Sequence, residues 1–206
     1  MVQGSSTSYT VTVAPSSTLN GAVQLTASGL PTGAGATFSP NPATTTSTMT
    51  VTTSLTTPTG SVIITVTGTN GILSHSATTN LVVSAAPQWV ATYSVAGTPT
   101  SWGTNQTQTY SVTVTNAGSQ TWPHTGGGLV DLGVHFTSAG GGFGNSTYYS
   151  DQRISLPADL APGASVTLSI TVTAPPNSGN LVLEYQMAKE GQFWFAQFAD
   201  VNVTVS

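Results

Sequence analysis

The stretch Ser165-Val-Thr-Leu-Ser-Ile-Thr-Val-Thr173 decides the fold class. Its apolar side chains, Val166, Leu168, Ile170 and Val172, fall at every second position, with hydroxyl residues between them. Neighbouring side chains of a strand point to opposite faces, so this period predicts a strand with one face in a core and one in water. A helix needs apolar residues every three or four positions, and no such period survives beyond a turn anywhere in the chain.

The same alternation recurs on both sides of this stretch. In the second half it predicts strands at Trp89–Val95, Thr107–Thr115, Gly128–Phe136, Arg153–Leu156, Leu181–Ala188 and Gln192–Val205. Leu181, Leu183, Tyr185 and Met187 form another inward row. In the first half it predicts Tyr9–Val13, Ala22–Ala27, Ala36–Ser39, Thr48–Thr53, Ser61–Thr69 and His75–Ser84. Turn residues separate them, among them Asn20-Gly21, Pro40-Asn-Pro42, Asn70-Gly71, Asn116-Ala-Gly118 and Pro162-Gly163. Six or seven short strands per half is sandwich spacing. Ala85-Ala86-Pro87 reads as a short, proline-stiffened joint, so domains are expected at 1–86 and 87–206, arranged end to end. The expected fold is all-β, with two tandem immunoglobulin-like β-sandwich domains.

Charge narrows the function classes. Only 4% of the 206 residues are Asp, Glu, Lys or Arg, against about 25% in ordinary domains. All of them lie between Asp131 and Asp200. Solubility must come from hydroxyls and amides, a composition expected of secreted and cell-surface domains. The net charge of −4, with one Lys and one Arg, excludes a phosphate-binding patch, so nucleic acid is not an expected partner. No apolar run is long enough to cross a bilayer as a helix, so no membrane insertion is expected. With no cysteine there is no disulfide, thiol nucleophile or cysteine zinc site. The start, MVQGSSTSYT, lacks a secretion leader and reads as a mature fragment of a longer secreted chain.

Two family resemblances follow from particular segments. Gly29-Leu-Pro-Thr-Gly-Ala-Gly-Ala-Thr-Phe-Ser-Pro-Asn-Pro42, with Thr57-Pro-Thr-Gly-Ser-Val-Ile-Ile-Thr-Val-Thr-Gly68, resembles bacterial immunoglobulin-like domains over about residues 8–84. Val112-Thr-Val-Thr-Asn-Ala-Gly-Ser-Gln-Thr-Trp-Pro123, Leu160-Ala-Pro-Gly163 and Gly191-Gln-Phe-Trp194 resemble the four-tryptophan immunoglobulin-like domain of next-to-BRCA1 type, over about 89–206. Trp122 and Trp194 fall where that pattern wants tryptophan. The resemblance implies a binding or structural module without catalysis.

The residues point the same way. His75 is the only titratable side chain of consequence in the first half and is expected at an edge or on the surface. The second half offers His124, His135 and six carboxylates, but no nucleophile elbow and no paired-histidine zinc motif. Asp131 and His135 share a strand face and are expected as solvated side chains. No enzyme activity, cofactor or metal is expected. Recognition is expected from aromatics. Phe193 and Phe195 share parity with Val201, Val203 and Val205 and are assigned to the core, which turns Trp194 and Phe198 outwards. Either the Trp122-Pro123-His124 loop covers those two, or they join Phe143, Tyr148 and Tyr149 of the glycine-rich segment after Ser138 in a ligand platform. The candidate ligand-binding residues are therefore Trp122, His124, Phe143, Tyr148, Tyr149, Trp194 and Phe198.

Three functions follow as expectations: a structural or adhesive spacer of a bacterial surface or secreted protein, a carbohydrate-binding accessory module of a secreted hydrolase, and a filament subunit joined by edge strands. The first has an extracellular protein as partner and the second a polysaccharide. The third requires self-association through the uncharged strands Tyr9–Val13 and Val201–Val205.

Overall fold

The structure is a computed structural model that describes residues 1–14 and 21–206; the Asn20-Gly21 turn begins outside the described residues. Every regular element among the described residues is a strand, and the chain forms two compact units, Met1–Ala86 and Pro87–Ser206. In the first unit the strands are β1 (Ser6–Thr12), β2 (Gln24–Ser28), β3 (Ala34–Ser39), β4 (Thr46–Thr53), β5 (Gly60–Asn70) and β6 (Leu73–Val83). They form two antiparallel sheets of order β1-β4-β3 and β2-β5-β6. That is the pairing of the B, E and D strands against C, F and G in an immunoglobulin-like sandwich. Val23, Leu25, Met49, Val51, Ile64, Val66, Leu81 and Val83 are buried between the sheets. The Asn41 amide is paired like a strand backbone, accepting from Leu25 N–H and donating to Leu25 C=O, both at 2.9 Å. His75 lies exposed on β6, the edge strand of its sheet.

The second unit contains β7 (Ala91–Ser94), β8 (Ser101–Trp102), β9 (Thr107–Asn116), β10 (Val130–Thr137), β11 (Gln152–Ser155), β12 (Ser165–Thr173), β13 (Gly179–Lys189) and β14 (Phe193–Val205). A three-stranded sheet of order β12-β9-β7 faces a five-stranded one of order β11-β10-β13-β14-β8. This is again an immunoglobulin-like order, with β8 running parallel to the end of β14. The expected inward rows are in place. Leu168, Ile170 and Val172 are buried, with Val166 packed beside them, and Leu181, Leu183, Tyr185 and Met187 are buried opposite.

The outer face of β9 and β12 explains how so few charges suffice. Thr107 meets Thr173, Thr109 meets Thr171, Thr113 meets Thr167 and Thr115 meets Ser165, with hydroxyl oxygens 2.7–2.9 Å apart. Opposed β-branched hydroxyl residues favour strand pairing and bond across the ladder.

Two assignments are corrected by this architecture. Phe193 is 41% exposed rather than in the core, because it is the first residue of β14, in the pair with Lys189 that ends the β13–β14 ladder. Its ring instead meets Trp89 edge-on at 6.1 Å and stacks beside Phe195. Val201–Val205 is only partly an edge, since Thr204 and Val205 pair with β8.

Candidate functional site

The outer face of β10, β13 and β14 carries what the composition concentrates in the second half. Strand alternation turns Val130, Leu132, Val134 and Phe136 inwards, so Asp131, Gly133 and His135 face out. Antiparallel register then sets His135 beside Glu184 and Asp200, Gly133 beside Gln186 and Phe198, and Asp131 beside Ala188 and Trp194. The register of β13 and β14 shifts between Gln186 and Ala188. Side chains satisfy the backbone groups freed by that irregularity. Met187 N–H donates to the Tyr93 hydroxyl at 2.8 Å, that hydroxyl donates to Gln197 C=O at 3.0 Å, and the Gln186 amide donates to Phe195 C=O.

This outer face is covered by the segment between β10 and β11. Three successive amides of the segment each find an acceptor on the sheet. Gly141 N–H donates to Asp200 Oδ2 at 3.0 Å, Gly142 N–H to Glu184 Oε2 at 2.7 Å and Phe143 N–H to Gln186 Oε1 at 2.7 Å. The Tyr148 hydroxyl donates to Glu184 Oε1 at 3.3 Å. Gly142 has φ of +83°, and a Cβ there would come within 2.9 Å of the Phe198 ring, so conformation and space both call for glycine.

Beneath this cover His135 and Glu184 are sealed from solvent, with Nδ1 and Oε1 3.8 Å apart. His135 Nε2 lies 3.0 Å from Asp151 Oδ1 and 3.2 Å from Arg153 Nη1. Tyr148 and Trp194 meet the imidazole edge-on at 4.8 and 5.1 Å. Burial pushes the imidazole below its ordinary range, although the Asp151 carboxylate opposes this. Burial pushes the Glu184 carboxyl up, against the pull of the Gly142 amide, and it raises Asp131 and Asp200 as well. Tyr148 is pushed up to about 12, chiefly by desolvation.

Trp194 lies across Gly133, with Phe143 stacked on it at 4.5 Å and 14°. The Arg153 guanidinium sits 4.4 Å from the Trp194 ring centroid and also bonds Glu190 at 2.9 Å and Asp151. A sugar ring would have to displace one of these groups to stack on Trp194.

Four of the seven candidate residues therefore come together: Phe143, Tyr148, Trp194 and, against Gly142, Phe198. The other three do not. Trp122 is wholly buried, packed edge-on to Phe195 at 5.2 Å and bridged to Leu160, so it belongs to the core and not to a ligand site. The cover over Trp194 is accordingly Phe143 and Arg153, not the Trp122-Pro123-His124 loop. His124 is engaged apart from the cluster, its Nδ1 and backbone N–H meeting Asp159 Oδ1 at 2.7 and 3.0 Å, and these bonds hold that carboxyl below its usual range. Tyr149 packs against the core, its N–H bonded to Phe136 C=O.

Asp131 and His135 are buried rather than solvated: the segment that directly follows β10 folds back over His135, and Asp131 lies between Ser155 and Ala188 of the flanking strands. Glu184 and Gln186 were absent from the sequence-based candidates. Their signal was the Leu181–Met187 inward row, which turns both outwards on either side of Tyr185. Among the described residues no three His, Asp or Glu side chains converge as a metal site.

No family model matches the chain, and no curated protein matches it. Similar solved structures include a chimeric titin Z1Z2 functionalised with an exogenous KLER peptide from decorin (15% identity over 100% of this chain and 90% of that one, TM-score 0.34). Others are titin domains Z1Z2 in complex with telethonin (14%, 100% and 90%, 0.29) and the amphioxus IgVJ-C2 molecule (12%, 99% and 98%, 0.27). These scores are too low to carry an argument, and the immunoglobulin-like assignment rests on the strand pairing above.

Proposed function

We infer that this chain is a non-catalytic extracellular module, a spacer or adhesive segment of a bacterial surface or secreted protein. One observation carries the reading. The cluster of histidine and carboxylates on the β10–β13–β14 face is closed, with Asp200, Glu184 and Gln186 each engaged by the covering segment's own backbone. Catalysis needs titratable groups that converge on a space a substrate can enter. Here they converge on the protein itself. The chargeless first unit and the hydroxyl ladder of the second fit a stalk that meets solvent without ions. Antibody staining of intact cells that make the protein tests the location. Labelling without permeabilisation is expected, and labelling only after permeabilisation overturns the reading.

A second reading, carbohydrate binding, is favoured by the surface of the same cover. Phe143 and Phe198 are 48% and 40% exposed, and Phe198 lies against Gly142, the residue before Phe143. Affinity electrophoresis against a polysaccharide panel tests it, with Phe143→Ala and Phe198→Ala as controls. Retardation that both substitutions weaken supports a glycan surface, and no retardation by any glycan rejects it.

A further inference from the structure

Among its described residues the first unit is open along one side. A cleft of about 620 Å³ lies between β1 and β6, walled by Tyr9, Val11 and Val13 on one side and by His75, Ala77 and Thr79 on the other. Its floor includes the core residues Val23, Leu25, Met49 and Val66. A sandwich normally closes such a seam with a further strand. Among the described residues only the upper end is closed. Met1 and Gln3 exchange backbone hydrogen bonds with Ser84, the Met1 amino group donates to Val82 C=O at 2.7 Å, and the Tyr9 hydroxyl reaches Asn80 C=O at 3.3 Å. Below that point, among the described residues, no strand pairs with the outer edge of either β1 or β6.

The free edge of β1 is fully specified by its pairing with β4. Ser5 C=O and Val13 N–H bond towards β4, so odd-numbered residues direct their backbone groups to β4. The N–H and C=O groups of Ser6, Ser8, Thr10 and Thr12 therefore point away from it. This edge is seven residues long and has no charge, proline or bulge, the devices that usually guard an edge strand.

We propose that this seam is an interface between two copies of the chain, formed by antiparallel pairing of β1 with β1 of the second copy. Self-pairing centred on Tyr9 uses all four outward residues, setting Ser8 opposite Thr10 and Ser6 opposite Thr12. It also sets Tyr9 opposite Tyr9 and Thr7 opposite Val11 on the inner face. The dyad runs between the two Tyr9 residues, normal to the sheet, so both inner faces stay on one side and the two clefts meet across it. Each copy thus supplies the apolar wall the other lacks. The occupant is a second copy because the edge is self-complementary under that dyad and because the whole first unit carries no Asp, Glu, Lys or Arg. A charged strand entering here would lose its hydration with no counter-charge to meet. One isologous contact closes at two copies, so the product is a dimer and not a fibre. The inference does not depend on the reading of the second unit.

Sedimentation of the full chain up to millimolar concentration, beside Thr10→Pro, tests it. Proline at 10 removes only an outward N–H and leaves the β1–β4 ladder whole. The wild-type mass should double with concentration while the variant stays monomeric. Amide exchange of the wild type adds a residue-level readout, in which Ser6, Ser8, Thr10 and Thr12 gain protection on dimerisation. A wild-type monomer at every concentration, a dimer that survives the substitution, an open series of larger oligomers, or a dimer whose Ser8 and Thr10 amides exchange freely would each overturn it.

Discussion

Trp194 lies directly over Gly133, so close that a Cβ at 133 would sit 2.5 Å from the indole Cζ3 and 2.9 Å from the His135 ring. The glycine is what lets a tryptophan lie flat on the outer face of a sheet, with Phe143 stacked above it. Gly133→Ala should lift Trp194 and loosen the cover. Forcing an extra methyl into a packed site typically costs about 1–3 kcal/mol, and denaturant unfolding of the variant measures it. An unchanged midpoint would mean that Trp194 is not held against the strand.

Stability should depend on pH through His135. Its folded imidazole binds a proton less readily than the unfolded one, whose ordinary value is 6.5. Its contribution is therefore complete above pH 6.5 and declines as pH falls from 6.5 towards the folded value, because the unfolded chain takes up the proton first. Glu184 acts in the opposite sense. Its folded carboxyl lies above the ordinary 4.5, so its contribution is complete below 4.5 and is lost as pH rises through the folded value. Comparing wild type with His135→Gln by thermal unfolding isolates the histidine, since Glu184, Asp151, Arg153 and Tyr148 are common to both. The wild type should lose stability relative to the variant as pH drops from 6.5 to 4.5. A difference that stays constant over that interval would refute the burial of a neutral imidazole.

Residues whose environment is set along one strand were legible in the sequence. Ser165–Thr173 has the extent the alternation predicts, because each side chain's face is set by its position in the strand. His135 shows the limit. Its outward parity is legible, but its burial depends on Phe143 and Tyr148, and strand alternation does not report that the glycine-rich segment after β10 folds back over the sheet. Phe193 failed for the converse reason, since parity assigns a face but not whether a sheet lies opposite it. Trp122 takes part in a single isolated bridge, and β8 is two residues long, so neither offers enough alternation to tell inside from outside.

Asn116 ties the end of β9 to two loops. Its side-chain amide donates to Gln120 C=O and Leu160 C=O, both at 2.8 Å, and its carbonyl accepts Gly118 N–H at 3.0 Å. The residue is wholly buried, so Asn116→Ala leaves Gly118 N–H and Gln120 C=O short of a partner, while Leu160 C=O keeps its bond from Trp122 N–H. At about 1–3 kcal/mol for a buried polar group left unpaired, the variant should be among the most damaging single changes in the second unit. Equilibrium unfolding reads the loss. A cost no larger than that of an exposed substitution such as Thr109→Ala would show that the loops hold without it.

Trp122 and Phe143 were both sequence candidates for ligand contact, and their stabilities should now separate them. Trp122 is sealed in the core against Phe195, so Trp122→Ala opens a cavity, with an expected cost of about 3–5 kcal/mol. Phe143 is half exposed and contributes mainly its stack on Trp194, so Phe143→Ala should cost only about 0.5–1.5 kcal/mol. Phe143→Ala should also increase amide exchange at Gly142, whose N–H lies under the ring-bearing turn, while leaving the core strands β10 and β13 protected. Chemical denaturation with residue-resolved exchange makes both comparisons in one preparation. If Phe143→Ala proved the costlier change, the covering segment would be part of the folding core and not a surface resting on it.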